Sequence, residues 1–224
     1  MTADLDSQGR KSIRLYDPDG LFREGWLNAA RWFRNAENIW RTARTEKNQS
    51  ISSENYLNWQ NKLTEQSLDA PWLVLYSASA KDANAVALGR DALDLDFFVD
   101  HTTYWLASRD PEEAFYLVAI LNSAIPNALM KDFQSKGLFG ERHVHKKILD
   151  VFFPQFDRNN AAHTALAALG REAHEKTARH LTENPPPPFL TALPLGRLRL
   201  DIKRHLAQEM KEIDKTVGKI IAGA

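Results

Sequence analysis

DPEEAFYLVAILNS, residues Asp110 to Ser123, opens with the signals of a helix start and continues as an almost wholly apolar body. Asp110 is a capping acid, Pro111 suits the first helical position, and Glu112 and Glu113 lie near the positive end of the helix dipole. A helix that is apolar on every side is buried on every side, so this stretch is predicted to be a buried helix. Downstream, Asn122-Ser123 followed by Pro126 marks a break into another helix, NALMKDFQSK. Upstream, Pro71 to Ser79 (PWLVLYSAS), Ala85 to Leu88 and Leu95 to Ser108 are rich in strand formers, with polar breaks at Lys81-Asp82 and Gly89-Arg90-Asp91. The expectation is an α+β fold: helices packed on a small, mainly antiparallel sheet, with a long C-terminal amphipathic helix.

Further out, the first twenty residues are polar and end in a turn signal, Asp17-Pro18-Asp19-Gly20, so regular structure is expected only after Gly20. From Arg23 to about Lys47, Trp26, Ala29, Ala30, Phe33, Ala36, Glu37 and Trp40 recur at three- and four-residue steps. This is an amphipathic helix whose aromatic stripe is read as core. Ser52-Ser53-Glu54 caps a second helix running to about Leu63. On the other side, Ile148 to Phe153 reads as a closing strand, and Asn159-Asn160 begins a helix of about twenty residues carrying Leu166, Leu169, Ala173 and Leu181. Asn184-Pro185-Pro186-Pro187-Pro188 cannot be helical. Beyond it, Leu195, Leu198, Ile202, Leu206, Met210, Ile213, Val217 and Ile220 form a seam that must meet the preceding helix or a partner. The expected organisation is an arm over residues 1–22, a core over 23–182, a Pro-rich linker over 183–195 and a C-terminal helix over 196–224.

Composition narrows the function. The chain has 224 residues, 29 Lys plus Arg, 29 Asp plus Glu and no cysteine. Disulfides, thiolate zinc sites and a cysteine nucleophile are thereby excluded. A neutral chain makes no global case for a nucleic-acid partner, so any basic footprint must be local. No apolar run approaches the roughly 20 residues that span a bilayer, which together with the polar start predicts a soluble cytoplasmic protein without a membrane partner.

Such a local footprint occurs in KDFQSKGLFGERHVHKK, Lys131 to Lys147. Gly137 and Gly140 bracket Leu138 and Phe139, permitting a tight turn or a close approach to another molecule. Arg142, His143, His145, Lys146 and Lys147 follow. If residues 142–147 run extended, Arg142, Val144 and Lys146 share one face while His143, His145 and Lys147 share the other. Cations and aromatics beside glycine turns are the chemistry used on DNA, where Lys and Arg meet phosphates and guanine edges. A second candidate, His101 beside Asp100, is set aside because neighbours on a regular strand point to opposite faces.

Three stretches carry a family resemblance: VDHTTYW (Val99 to Trp105), EEAFYLVAILNSAIPNALMKDFQSKGLFGERHVHKK (Glu112 to Lys147) and KEIDKTVGKII (Lys211 to Ile221). They resemble N-6 adenine DNA methyltransferases of the restriction–modification type, specifically the TaqI-like target-recognition region that follows the catalytic domain. The resemblance runs from about Trp32 to Ile221, and it makes residues 23–182 a target-recognition core. It implies DNA recognition for methylation of adenine at N6, with duplex DNA and a methyltransferase catalytic domain, in cis or in trans, as partners. On the matching glycine-basic motif it implies DNA contact by Gln134, Ser135, Lys136, Gly137, Phe139, Gly140, Arg142, His143, His145, Lys146 and Lys147.

The catalytic half of such an enzyme is missing from these residues. No glycine-rich cofactor loop occurs, and NPPPPF (Asn184 to Phe189) lacks the aromatic directly after the second proline that would hold a flipped base. It is read as a linker. No catalytic residue, cofactor site or metal site is therefore expected in this chain, with S-adenosylmethionine bound in a catalytic domain elsewhere. The chain reads as a fragment of a longer methyltransferase or as a separately encoded specificity piece. Two other readings compete: a protein-interaction module using the C-terminal seam, and a metal-dependent enzyme using His143 and His145, for which no third ligand has readable spacing.

Overall fold

The computed structural model describes residues 2–5, 11–15, 17–92, 94, 97–100, 102–137, 140–144 and 146–223. The chain forms two compact units, one of residues 1–70 and 93–101, the other of residues 71–92 and 102–224. The α+β expectation holds, with helices, a three-stranded antiparallel sheet and a helical C-terminal segment.

In the first unit, β1 (Thr2–Leu5) pairs antiparallel with β2 (Lys11–Arg14). Regular structure therefore begins well before Gly20, contrary to the reading of a plain arm. The Asp17-Pro18-Asp19-Gly20 signal is the start of α1 (Pro18–Arg23), with the Asp17 side chain accepting from the Gly20 N–H. The same residue types serve a turn or a helix cap, and the apolar Leu21, buried here, decides for the helix. Gly25 at φ +86° then separates α1 from α2 (Leu27–Ala43). The aromatic stripe is not a closed core: of the residues in α2 only Ala30 is buried, and Trp26 just before it is 58% exposed. Trp40 is half-buried, donating to the Ile51 carbonyl at 2.9 Å and packing against Tyr56 at a 35° tilt with ring centroids 4.4 Å apart. Among the described residues, α1 and the short α3 (Ser53–Leu57) are the elements that chiefly cover α2.

α3 is capped by Ser52 as expected, but it ends at Leu57 rather than near Leu63. Asn58 stops it by turning its side chain onto the backbone: Oδ1 accepts from Leu63 N at 3.0 Å and Thr64 N at 3.1 Å. This local competition for backbone donors outweighs helix propensity. Gln66 similarly holds residue 99, donating to the Val99 carbonyl at 2.6 Å and accepting from its N–H at 2.9 Å. The long strand expected up to Ser108 is thereby shortened. Phe97 to Asp100 are irregular and belong to the first unit, and His101, the partner weighed for Asp100, lies outside the described residues.

The second unit is built in layers around α4 (Pro111–Asn122). β3 (Trp72–Ser77), β4 (Ala85–Gly89) and β5 (Thr103–Ser108) form the sheet in the order β4-β3-β5, with Leu75 opposite both Val86 and Trp105. Asp110 caps α4 by accepting from Glu112 N at 2.9 Å. Phe115, Val118 and Leu121 of α4 pack with Val74, Tyr76 and Ala87 of the sheet. Its other side, Tyr116, Ala119 and Ile120, packs with α6 (Ala161–Glu183) and α8 (Ala207–Ala222). An all-apolar helix is satisfied here because it is clothed on both sides. α5 (Ala124–Met130) follows at a 57° bend. Asn122 pins the edge strand β4 by bonding both the N–H and the carbonyl of Ala85 at 2.8 Å.

Two expectations for the remainder change. Ile148 to Phe153 is not a strand. Lys147–Asp150 is a 3-10 turn leading into irregular chain, because Val144, Ile148 and Val151 must all bury into the sheet-side core, and their spacing suits a helical turn. The C-terminal seam is helical but divides at Leu206 into α7 (Ala192–His205) and α8. Leu206, Ile213, Val217 and Ile220 bury against α4 and α6, whereas no residue of α7 is buried.

Lys176 on α6 clasps Glu209 on α8, with Nζ 2.6 Å from Oε1. The ammonium holds the Glu209 carboxyl below its ordinary value of 4.5, outweighing burial, which opposes it. A carboxyl lowered in the folded state contributes stability that is complete above its unfolded pKa and lost as pH falls through the lower folded one. Thermal melts are therefore expected to show this loss below about pH 4.5. Lys176→Met should abolish that part of the acid sensitivity and lower the Tm at pH 7, since it leaves a half-buried carboxylate unpaired. An unchanged Tm at pH 7 would show that the clasp contributes nothing.

Candidate nucleic-acid interface

The cation-rich stretch picked out in the sequence forms an antiparallel ribbon. β6 (Ser135–Gly137) pairs with β7 (Gly140–His143), and Gly137 faces Gly140 across the two-residue connection of Leu138 and Phe139. The glycine pair thus forms the last rung of the ribbon, flanking the two-residue connection. Leu138 and Phe139 themselves lie outside the described residues, as does His145. The register shifts between Ser135 and Lys136: Ser135 faces His143 while Lys136 faces Glu141. Arg142 is therefore the extra residue of a β-bulge, a device that re-aims one position of a strand out of the regular alternation.

Both roots of the ribbon are held by buried groups. Gln134, 5% exposed, donates from Nε2 to the Lys81 carbonyl at 3.1 Å and to that of Ala80 at 3.3 Å. Its Oε1 accepts from Lys131 Nζ at 3.0 Å, and the same ammonium meets Asp82 at 2.8 Å. Asn127, also buried, accepts from Ala83 N at 2.7 Å and donates to the Leu121 and Ser123 carbonyls at 2.8 and 2.9 Å. Together they fix the 80–83 turn on which the first root rests. At the second root Val144 is fully buried, and Lys147 N closes a turn onto the Val144 carbonyl at 2.9 Å.

The anticipated DNA-contact residues thus fall into separate groups. Gln134 is an anchor whose amide is already committed to protein groups. Ser135, Lys136, Gly137, Gly140, Arg142 and His143 are placed by their backbone on the ribbon. Phe139 and His145 fall outside the described residues. Lys146 is exposed, and Lys147 is half-buried with Nζ 3.7 Å from Asp150. The alternation anticipated for residues 142–147 ends at His143, since the chain then turns to bury Val144. Sequence reading missed the anchors. The signal for them was Lys131 and Gln134 one helical turn apart beside the Lys81-Asp82 break, which periodicity alone does not connect.

Among the described residues, no group of three or more His, Asp or Glu side chains is arranged to hold a metal ion. No single helix among them is long and apolar enough to cross a membrane. NPPPPF follows α6 rather than a strand, and Phe189 is 85% exposed. The chain matches no protein-family model and no curated protein sequence.

Proposed function

We propose that this chain is the DNA target-recognition part of a site-specific adenine-N6 methyltransferase of the restriction–modification type, working in the cytoplasm. The observation that carries the reading is a glycine-turned, bulged ribbon of cationic sequence anchored at both roots by buried groups. A two-stranded ribbon fits the major groove of duplex DNA, and a rigid base lowers the ordering cost of reading it. Cofactor and methyl transfer belong to a catalytic domain that supplies S-adenosylmethionine chemistry. The interaction-module reading loses its support on α8, because Ile213, Val217 and Ile220 already face the protein's own core.

The test is a set of DNA duplexes titrated by fluorescence anisotropy against the chain, alone and joined to the catalytic domain. Lys146→Ala and Lys147→Ala are expected to weaken binding about equally on every sequence and to reduce the salt slope by roughly one each. Arg142→Ala should cost roughly 1–3 kcal/mol on the cognate site and little elsewhere. Equal losses on all sites would make Arg142 a phosphate contact. Unchanged binding for all three variants would remove the ribbon as the reader.

A further inference from the structure

We propose that the outward face of α7 is a second grip on DNA, binding the backbone phosphates of the duplex without reading bases. The inference takes its ligand from the reading above but stands on a different element. α7 carries Arg197, Arg199, Lys203 and Arg204 against a single acid, Asp201, in a chain whose total formal charge is zero. That acid is engaged: His180 on α6 reaches it at 2.7 Å. All four cations are exposed, and none has a carboxylate partner among the described residues.

At 3.6 residues per turn, Leu195, Leu198, Ile202 and His205 share the side turned to the protein, and His205 stacks on His180 with ring centroids 4.2 Å apart. The opposite side presents Arg197 and Arg204 along one flank, Arg199 and Lys203 along the other, with Leu193 and Leu200 between. Arg197 and Arg204 are seven residues apart, about 10 Å along the axis. Two cationic rows separated by a narrow apolar strip suit the two phosphate walls of a groove. Three of the four are arginines, whose planar fork takes phosphate oxygens two at a time. A membrane surface fits less well, because two leucines offer too little apolar area to insert.

The experiment compares the full chain with a variant carrying Arg197→Gln, Arg199→Gln, Lys203→Gln and Arg204→Gln, titrated on a fluorescent 30-base-pair duplex from about 50 to 300 mM salt. A control carrying Arg23→Gln, Arg31→Gln, Lys47→Gln and Lys62→Gln loses the same formal charge from the first unit. Each neutralised phosphate contributes about 0.9 to the log–log slope, so the α7 variant should lower the slope by roughly 2–3 and weaken binding at least tenfold at 100 mM, equally on all sequences. The control should change neither quantity by more than a fraction of that. The inference is overturned if the α7 variant binds as the unaltered chain does, or if the control loses as much. It is overturned too if the α7 variant loses only binding to phosphatidylserine vesicles. Unchanged binding for the Lys146→Ala, Lys147→Ala and Arg142→Ala variants, together with a lowered slope for the α7 variant, would support the grip while refuting the ribbon as reader. The converse would do the opposite.

Discussion

Ile213→Asp is expected to detach α8 from the bundle and to lower stability by about 4 kcal/mol or more, a Tm fall of roughly 8–16 °C. Ile213 is 2% exposed in the cluster that joins α8 to Tyr116, Ala119 and Ile120 of α4 and to Leu166 and Ala173 of α6. A carboxylate there has no partner, and the apolar walls cannot solvate it. Leu193→Asp provides the contrast, since Leu193 is 64% exposed and the change should leave the stability within about half a kcal/mol. Thermal melts and limited proteolysis of the C-terminal segment read both. Equal behaviour of the two variants would show that α8 is not docked as described. Detachment should also loosen α5, because Asp214 on α8 accepts from Ser123 Oγ and from Ala124 N, both at 2.8 Å.

Gly170→Ala is expected to destabilise by roughly 2–3 kcal/mol although alanine is the better helix former by about 1 kcal/mol. α6 crosses α4 at this glycine. A Cβ added there would lie 2.4 Å from the Phe115 carbonyl oxygen and 3.2 Å from Ala119 Cβ. The oxygen belongs to the backbone of a helix wedged between sheet and bundle, so it cannot step aside without moving the core. Gly196 on α7 has no atom within 4 Å of such a Cβ. Gly196→Ala should therefore raise the Tm slightly through propensity alone. A rise at both positions would contradict the close crossing, and differential scanning calorimetry of the two variants decides it.

Sequence and structure agree where the signal is local and disagree where neighbours choose. The Asp110, Ser52 and Asn160 caps were legible because each satisfies backbone donors within a few residues of itself. Asn58 was not, because its side chain reaches five and six residues ahead, past the span of a regular cap, and Gln66 was not, because its amide acts on Val99, thirty-three residues away. At the candidate interface, the glycine pair and the cations stood out in the chain. The bulge at Arg142 and the commitment of Gln134 to the 80–81 carbonyls are properties of a register and of a contact more than fifty residues away.

By itself the sequence determined that Asp110–Ser123 is a buried helix, that a small antiparallel sheet precedes it, and that amphipathic helices follow. An apolar body without a polar side has only one stable surrounding, and alternating strands only one way to cover one face. Tertiary structure alone decided that the C-terminal seam splits at Leu206, with α8 docked and α7 left outward. It also decided that Val144, Ile148 and Val151 turn inward together and that α6 meets α4 at Gly170. The physical reason is that periodicity records how much apolar surface an element must hide, whereas the partner that hides it is selected by shape and close approach among segments distant in the chain.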